Sequence, residues 1–281
     1  WFWFILRSTT ENGLVQVRWF VLKKLIFFSF CFSILLILSS GLISDTFELP
    51  FKIGEKLIFD VNYGIINGGK FTMSIAEDGS ISGHKCYHIR STTKTNKFFD
   101  MFYKVRDEID SYWDVEKLVS RKYVKKLSEG HYKQYRIHHY FPEDTLTQYI
   151  KHRKGKIIKT EFKCLPDAQD ALSIFYYIRL QDLNVGDSIY VNVTADGRNC
   201  ITKVLVEEKK KLNTIFGKKE CFKVHPVLEE GETIFKQTGE MYLWLTADEF
   251  KIPIKVVSEV KYGKFSFRLI DAKNVSLKIR K

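Results

Sequence analysis

Pro166-Asp167-Ala168-Gln169-Asp170-Ala171-Leu172-Ser173-Ile174-Phe175-Tyr176-Tyr177-Ile178-Arg179-Leu180 is the stretch that reads most clearly as helix in this chain. Apolar Ala168, Ala171, Ile174, Phe175 and Ile178 recur at helical spacing and make one stripe. Asp167 is placed to cap the first turn, Pro166 ends whatever precedes it, and Asp170 sits where the helix dipole favours an acid. The spacing predicts a helix over 167–180. Almost everything on either side alternates with the two-residue period of strands, so the helix reads as a joint between two β-rich halves.

Working outward, Leu57, Phe59, Val61 and Tyr63 alternate with Ile58, Asp60 and Asn62 in a first strand. Turns are expected at Asn67-Gly68-Gly69 and Asp78-Gly79. Further strands are predicted over 86–93, 98–113 (long, and broken or bent in its middle), 118–127, 131–141, 145–152 and 156–164. After the helix the same grammar returns. Ile189, Val191 and Val193 alternate, Asp196-Gly197 turns the chain, and strands follow over 200–207, 221–228, 232–245, 251–262 and 264–279. Successive strands joined by short turns give an antiparallel meander. The predicted class is all-β, mainly antiparallel: two related β units forming a barrel-like or sandwich body, with one short α-helix at 167–180 between them.

The halves can be laid on one another. Phe51-Lys52-Ile53-Gly54-Glu55 resembles Leu183-Asn184-Val185-Gly186-Asp187, and Gly83-His84-Lys85-Cys86-Tyr87 resembles Gly217-Lys218-Lys219-Glu220-Cys221-Phe222. Glu108 and Glu240, Leu118 and Phe250, and Val124 and Val256 correspond at the same offset as the first pair. An internal repeat is therefore expected, with an N-terminal half over 42–165, a connecting helix over 166–182 and a C-terminal half over 183–281.

The amino-terminal residues read differently. Residues 1–20 look like a gene-call overrun or an unstructured lead, since the chain opens on Trp1. Residues 21–41 have the pattern of a signal peptide: Lys23-Lys24, then an uncharged apolar run over 25–38, then Ser39-Ser40-Gly41. The run is shorter than the roughly 18–20 residues a spanning helix needs. The expected location is the periplasm, or another exported place in a bacterial cell envelope, with contact to the membrane only through the signal segment. Cys31 lies inside the apolar run, so a lipoprotein is not expected.

The net charge is +12, of which residues 42–281 keep +9 spread along the strands. Such diffuse charge fits a solvated surface or attraction to anionic lipid or acidic glycan, and nucleic acid is not expected as a partner. Cys86, Cys164, Cys200 and Cys221 allow three disulfide pairings in an oxidising compartment, and also suit small buried side chains; their spacing matches no zinc pattern.

Three stretches together resemble a known family: 51–61 (Phe-Lys-Ile-Gly-Glu-Lys-Leu-Ile-Phe-Asp-Val), Tyr103-Lys104-Val105-Arg106-Asp107, and 170–179. The chain is similar over residues 49–272 to the exported bacterial domain-of-unknown-function family 3108. The resemblance implies an envelope protein of mostly β structure and brings no established activity, so no catalytic residue is carried over. Arg106, Asp107, Asp170 and Arg179 match its polar marks.

These four are the candidate site. Charged residues among apolar neighbours must be paired when buried. They read as a structural network tying helix to sheet, or as the polar end of a ligand pocket. His131, His138, His139 and His152 read as surface or pocket-rim residues, with His138 on the face of Tyr132, Gln134, Arg136 and Tyr140. No metal site, cofactor motif, Gly-x-Ser-x-Gly or phosphate loop is readable. An outer-membrane barrel is disfavoured by charges on both faces of strands, Lys133 with Arg136 and Lys104 with Asp107. The leading functional expectation is a non-catalytic binding or carrier module for an amphiphile or glycan. The rivals are an enzyme acting on envelope glycan or lipid, and a structural or assembly partner. The oligomeric state is not legible.

Overall fold

A computed structural model describes residues 49–153, 155–228, 239–260 and 263–279. The lead over 1–20, the signal segment over 21–41 and the part over 232–238 of the strand expected over 232–245 lie outside the described residues. Among the described residues fourteen strands form one sheet. They are β1 (Lys56–Tyr63), β2 (Ile66–Ile81), β3 (His84–Thr95), β4 (Arg106–Asp114), β5 (Ser120–Glu129), β6 (Tyr132–Phe141), β7 (Leu146–Arg153) and β8 (Lys156–Lys163), then β9 (Ser188–Ala195), β10 (Arg198–Thr214), β11 (Gly217–Leu228), β12 (Met241–Thr246), β13 (Pro253–Val260) and β14 (Gly263–Lys273). Every ladder between neighbouring strands is antiparallel. The order is β8 to β1, then β14 back to β9, so the two halves join through β1 and β14 and the sheet ends on β8 and β9.

The sheet rolls up on itself. The turn between β9 and β10 packs on β5 and β6: Gly197 donates its N–H to His138 Nε2 (3.1 Å), and Asp196 pairs with Lys125 (3.0 Å) and Arg136 (2.8 Å). The strap after β8 lies along β9, with Gln169 N–H donating to Asn192 O and Thr194 N–H to Gln169 O, both at 2.8 Å. On its other side Ser120 N–H donates to Ala168 O. A strap rather than a strand ladder thus satisfies the backbone groups of the β9 edge. The opposite edge strand, β8, is almost wholly exposed and carries Lys156, Lys159 and Lys163, charges that discourage edge-to-edge pairing.

The helix is shorter than its periodicity predicts. Asp167 does not cap it; that residue has φ of 50° in a turn with Pro166, Gln169 makes a parallel bridge to Val193, and a second turn at 171–172 leads into the helix. Helical structure starts at α2 (Ser173–Tyr177), continued by a 3-10 turn over Ile178–Leu180. The chain between Asp167 and Leu172 is claimed by hydrogen bonds to β9 and β5, and those outweigh local helix propensity. The buried face also differs from the expected stripe. Of that stripe Ala168 and Ile178 are buried while Ala171, Ile174 and Phe175 are half-buried, and Leu172, Tyr176 and Arg179 are buried beside them. The helix lies between two cores and so has no dry side and wet side. One core gathers Leu57, Phe59, Ile75, Trp113, Leu172 and Tyr176; the other gathers Ile178, Val191, Val204, Val224, Leu243 and Leu245.

The expected long strand over 98–113 is replaced by a short helix, α1 (Lys97–Asp100), a loop containing Lys104, and β4. Asn96 drives this: its side chain accepts the Phe99 N–H (3.0 Å), the geometry of a helix cap. The two expected turns at Asn67-Gly68-Gly69 and Asp78-Gly79 both fall inside β2, and the chain turns instead at Gly64 and at Ser82-Gly83. Those glycines answer a different need. A Cβ on Gly69 would sit 2.1 Å from Lys94 O, and one on Gly79 would sit 2.7 Å from the Tyr112 ring, so close approach selects glycine there. Other boundaries move by a few residues, the largest change being β10, which runs on to Thr214.

The paired segments noted in the two halves make the same local structure. Gly54 N–H donates to Ile75 O and Ile75 N–H to Glu55 O; Gly186 N–H donates to Val206 O and Val206 N–H to Asp187 O. Gly54 and Gly186 have φ of 86° and 97°. Cys86, Cys164, Cys200 and Cys221 are all buried, and burial pushes the Cys221 thiol up to about 11.

Candidate functional site

The four polar marks do not converge. They divide into two interior anchors on the strap and helix and two groups at the start of β4.

Asp170 is fully buried. Its Oδ1 accepts from Leu172 N–H (2.8 Å) and Ser173 N–H (2.9 Å), which makes it the group that starts α2. Its Oδ2 accepts from Ser111 Oγ (2.6 Å) on β4 and Ser120 Oγ (2.7 Å) on β5. Burial pushes the carboxyl above its ordinary range, opposed by those hydrogen bonds. Every lone pair is aimed at a fixed partner.

Arg179, also fully buried, grips Glu55 with both ends of its fork, Nη1 to Oε1 at 2.6 Å and Nη2 to Oε2 at 2.9 Å. It also donates to Pro50 O (2.7 Å) and Phe250 O (3.0 Å), and lies over the rings of Phe51 and Tyr176. One side chain therefore fastens the lead into β1, the helix, and the loop between β12 and β13. Asp170 and Arg179 are the network between helix and sheet; sequence reasoning missed Glu55 because it reads as one of several charges beside Gly54.

Arg106 faces outward and pairs with Asp100 at the end of α1, Nη1 to Oδ1 being 3.0 Å. That guanidinium, with the Thr95 hydroxyl, holds the Asp100 carboxyl below its usual range. Asp107 is buried at the mouth of the sheet, where its Oδ1 accepts from Ser128 N–H (2.8 Å). Burial pushes this carboxyl and that of Glu129 upward, and the Asp107 charge raises Glu129 further.

His138 corrects the surface reading of the histidines. It is fully buried on the inner face of β6, beside the rings of Tyr149 (4.5 Å) and Tyr140 (5.6 Å). With Gly197 N–H on Nε2, the ring proton belongs on Nδ1. Burial lowers it from 6.5 to about 4, with Asp196 opposing and Arg136, His139 and Lys125 adding to the fall. The folded form binds this proton less readily than the unfolded chain. The stability it confers is therefore full above about pH 6.5 and is lost as pH falls through 4, a range worth roughly 3 kcal/mol. Urea midpoints measured from pH 7 to pH 4 are expected to fall steeply for the native chain and less steeply for His138→Gln. Equal slopes would contradict this reading. The signal missed was the alternation of Gln134, Arg136, His138 and Tyr140 taken together with Asp196-Gly197, a pairing that requires the tertiary fold.

Outside, the twisted wall of β4 to β8 holds an open groove of about 940 Å³. Tyr135 and His152 stand side by side in its lining, ring centroids 5.0 Å apart, with Lys126, Lys133 and Lys156 and the acids Glu108 and Asp110 also lining it. Asp110 is engaged by His88 (2.7 Å) and Arg90 (2.6 Å), Lys126 lies 3.8 Å from Glu108, and Lys133 donates to Ser128 Oγ. No group of three or more His, Cys, Asp or Glu able to hold a metal occurs among the described residues.

Residues 58–270 match the family described as "Protein of unknown function (DUF3108)". The chain belongs to the DUF3108 family. Among solved structures, this DUF3108 protein is similar to the β-barrel-like protein of the DUF1849 domain from Brucella abortus, with a TM-score of 0.53 and 11% identity over 80% of this chain and 99% of that one. The likeness is one of fold, a mostly antiparallel barrel-like sheet. More distant likenesses are to a candidate lipoprotein from Parabacteroides distasonis (TM-score 0.32, 9% identity, 80% and 98% coverage) and a candidate exported protein from Bacteroides fragilis (TM-score 0.30, 10% identity, 80% and 98% coverage). No curated protein matches the DUF3108 chain significantly.

Proposed function

We propose that this DUF3108 protein is an exported, non-catalytic binding module that takes an acidic oligosaccharide in the groove on its outer wall. The observation that carries the proposal is the lining of that groove: an aromatic pair, Tyr135 and His152, offers ring faces for sugars to stack on, and three lysines offer charge to a ligand carboxylate. An acyl chain is less well served, because Leu172, Tyr176 and Ile178 fill the space between the two cores. The export reading is supported by the pattern over 21–41. The repeat is supported by the matching hydrogen bonds around Gly54 and Gly186, and we read β1 to β6 and β9 to β14 as copies of one unit.

The enzyme reading finds its one supporting feature in Asp107 and Glu129, two carboxyls that burial pushes upward. The assembly reading is opposed by the lysines on β8.

Calorimetric titration with neutral and uronic-acid oligosaccharides tests the proposal. Saturable binding of the acidic set is expected, weakened about tenfold or more by Tyr135→Ala, a loss of about 1.4 kcal/mol. Tyr135 is partly exposed, so the variant keeps its fold, which circular dichroism checks. No saturable binding by any sugar, or binding indifferent to Tyr135→Ala, would overturn it.

A further inference from the structure

The end of the sheet that carries the turn between β1 and β2 and the loop between β3 and β4 exposes large apolar side chains out of keeping with a surface otherwise dominated by charge. Met101 and Phe102 are 71% and 73% exposed and Ile65 is fully exposed; Ile66, Phe98 and Tyr103 are each more than half exposed. Single exposed hydrophobes are ordinary, but a concentration of this kind marks a surface that meets something apolar.

The loop is built to hold these groups out. Asn96 caps α1, and its backbone N–H and side chain bond Gly68 O (3.0 Å) and Asn67 O (2.7 Å), which ties the loop to the turn bearing Ile65 and Ile66. Tyr103 N–H donates to Phe99 O (2.7 Å). Gly130 N–H donates to Lys104 O (2.8 Å), and the Tyr103 ring lies so close over Gly130 that a Cβ there would be 2.9 Å from it. Phe98 and Phe102 stack edge to face at 5.5 Å. The only acid within the loop, Asp100, is held by Arg106 and Thr95, which gives Arg106 its purpose.

The charge around the patch selects its partner. Lys94, Lys97 and Lys104 are exposed on either side of the aromatic residues, and Asp100 is already neutralised. Aromatic and aliphatic tips ringed by lysines suit the boundary of a lipid layer, where rings settle among headgroups and ammonium groups meet phosphates. We propose that this rim docks the protein on an anionic lipid surface, with Phe98, Met101 and Phe102 entering the headgroup boundary and the three lysines meeting lipid phosphates. The contact is peripheral: among the described residues no helix is long and apolar enough to cross a membrane. It lies on residues apart from the groove proposed for sugar.

The test reads the loop itself, so that the apolar run over 25–38 does not confuse it. An environment-sensitive dye is attached at Met101→Cys in the full chain carrying Cys31→Ser; the four other cysteines are buried. Vesicles of phosphatidylethanolamine with phosphatidylglycerol are compared with vesicles of phosphatidylcholine alone. The expected result is a blue shift and intensity rise on the anionic vesicles, at least tenfold weaker in apparent affinity on phosphatidylcholine. It should be lost to a similar degree in Phe98→Ser/Phe102→Ser and reduced in Lys97→Glu/Lys104→Glu. A dye that stays in water on both vesicles overturns the proposal. So does an equal shift on both, or a shift without lipid that grows with protein concentration and marks the patch as a self-association surface. Because the double serine variant alters only exposed side chains, an unchanged circular dichroism spectrum separates lost docking from lost fold.

Discussion

Arg179→Met lowers the free energy of unfolding by about 3–5 kcal/mol, the range for breaking one half of a buried ion pair. Glu55 is then left as a buried carboxylate without its fork, and Pro50 O and Phe250 O lose their donor. The loss is not one of volume, because methionine fills much of the same space. Guanidinium chloride unfolding followed by far-ultraviolet circular dichroism measures it. A loss below about 1 kcal/mol would mean that Glu55 finds water or another donor, and that the helix is not fastened at this point. For a domain whose total stability is of order 5–15 kcal/mol, the expected loss is large enough to show as poor recovery of folded protein.

The second large effect is at Asp170. Alanine there removes the acceptor that starts α2, worth about 0.5–2 kcal/mol, and leaves the hydroxyls of Ser111 and Ser120 without their partner in a dry interior, about 1–3 kcal/mol for each stranded group. An overall loss of about 3 kcal/mol is expected, because Ser120 and Ser173 stay close enough to bond each other at 3.1 Å. Asn at this position keeps the acceptor toward Leu172 and Ser173 and should lose less than half as much. If Asn and Ala lose the same, the backbone caps do not matter and the serines carry the effect. Hydrogen exchange of the Leu172 and Ser173 amides discriminates the two, as those N–H groups lose protection in Asp170→Ala alone.

Much of the fold is legible in residues that alternate. The meander, its antiparallel sense and most strand positions follow from the pattern of Leu57, Phe59, Met73 and Ile75 and their counterparts in the other half. The errors have physical causes. Asn67-Gly68-Gly69 and Asp78-Gly79 look like turns because glycine is common there, whereas Gly69 and Gly79 answer the close approach of Lys94 O and the Tyr112 ring across the sheet. Asp167 looks like a helix cap, but the strap is taken up by β9 before a helix can form, and Asp170 does the capping three residues later. The polar marks Asp170 and Arg179 were visible as charges in apolar company. Their partners Glu55, Ser111 and Ser120 were not, being 50 residues or more away in the chain. The outer groove could not be read at all, because Tyr135 and His152 become neighbours only through the register of β6 with β7.

We propose that the charged residues of the helix hold the molecule together and leave recognition to its outer surfaces. A double-mutant cycle on Glu55 and Arg179 tests it most directly, with Glu55→Gln, Arg179→Met and the pair compared in equilibrium unfolding. A coupling of about 2 kcal/mol or more is expected, the double variant being no less stable than the weaker single one. Losses that simply add, with each single change costing under about 1 kcal/mol, would contradict it and return Arg179 to the list of residues free to meet a ligand.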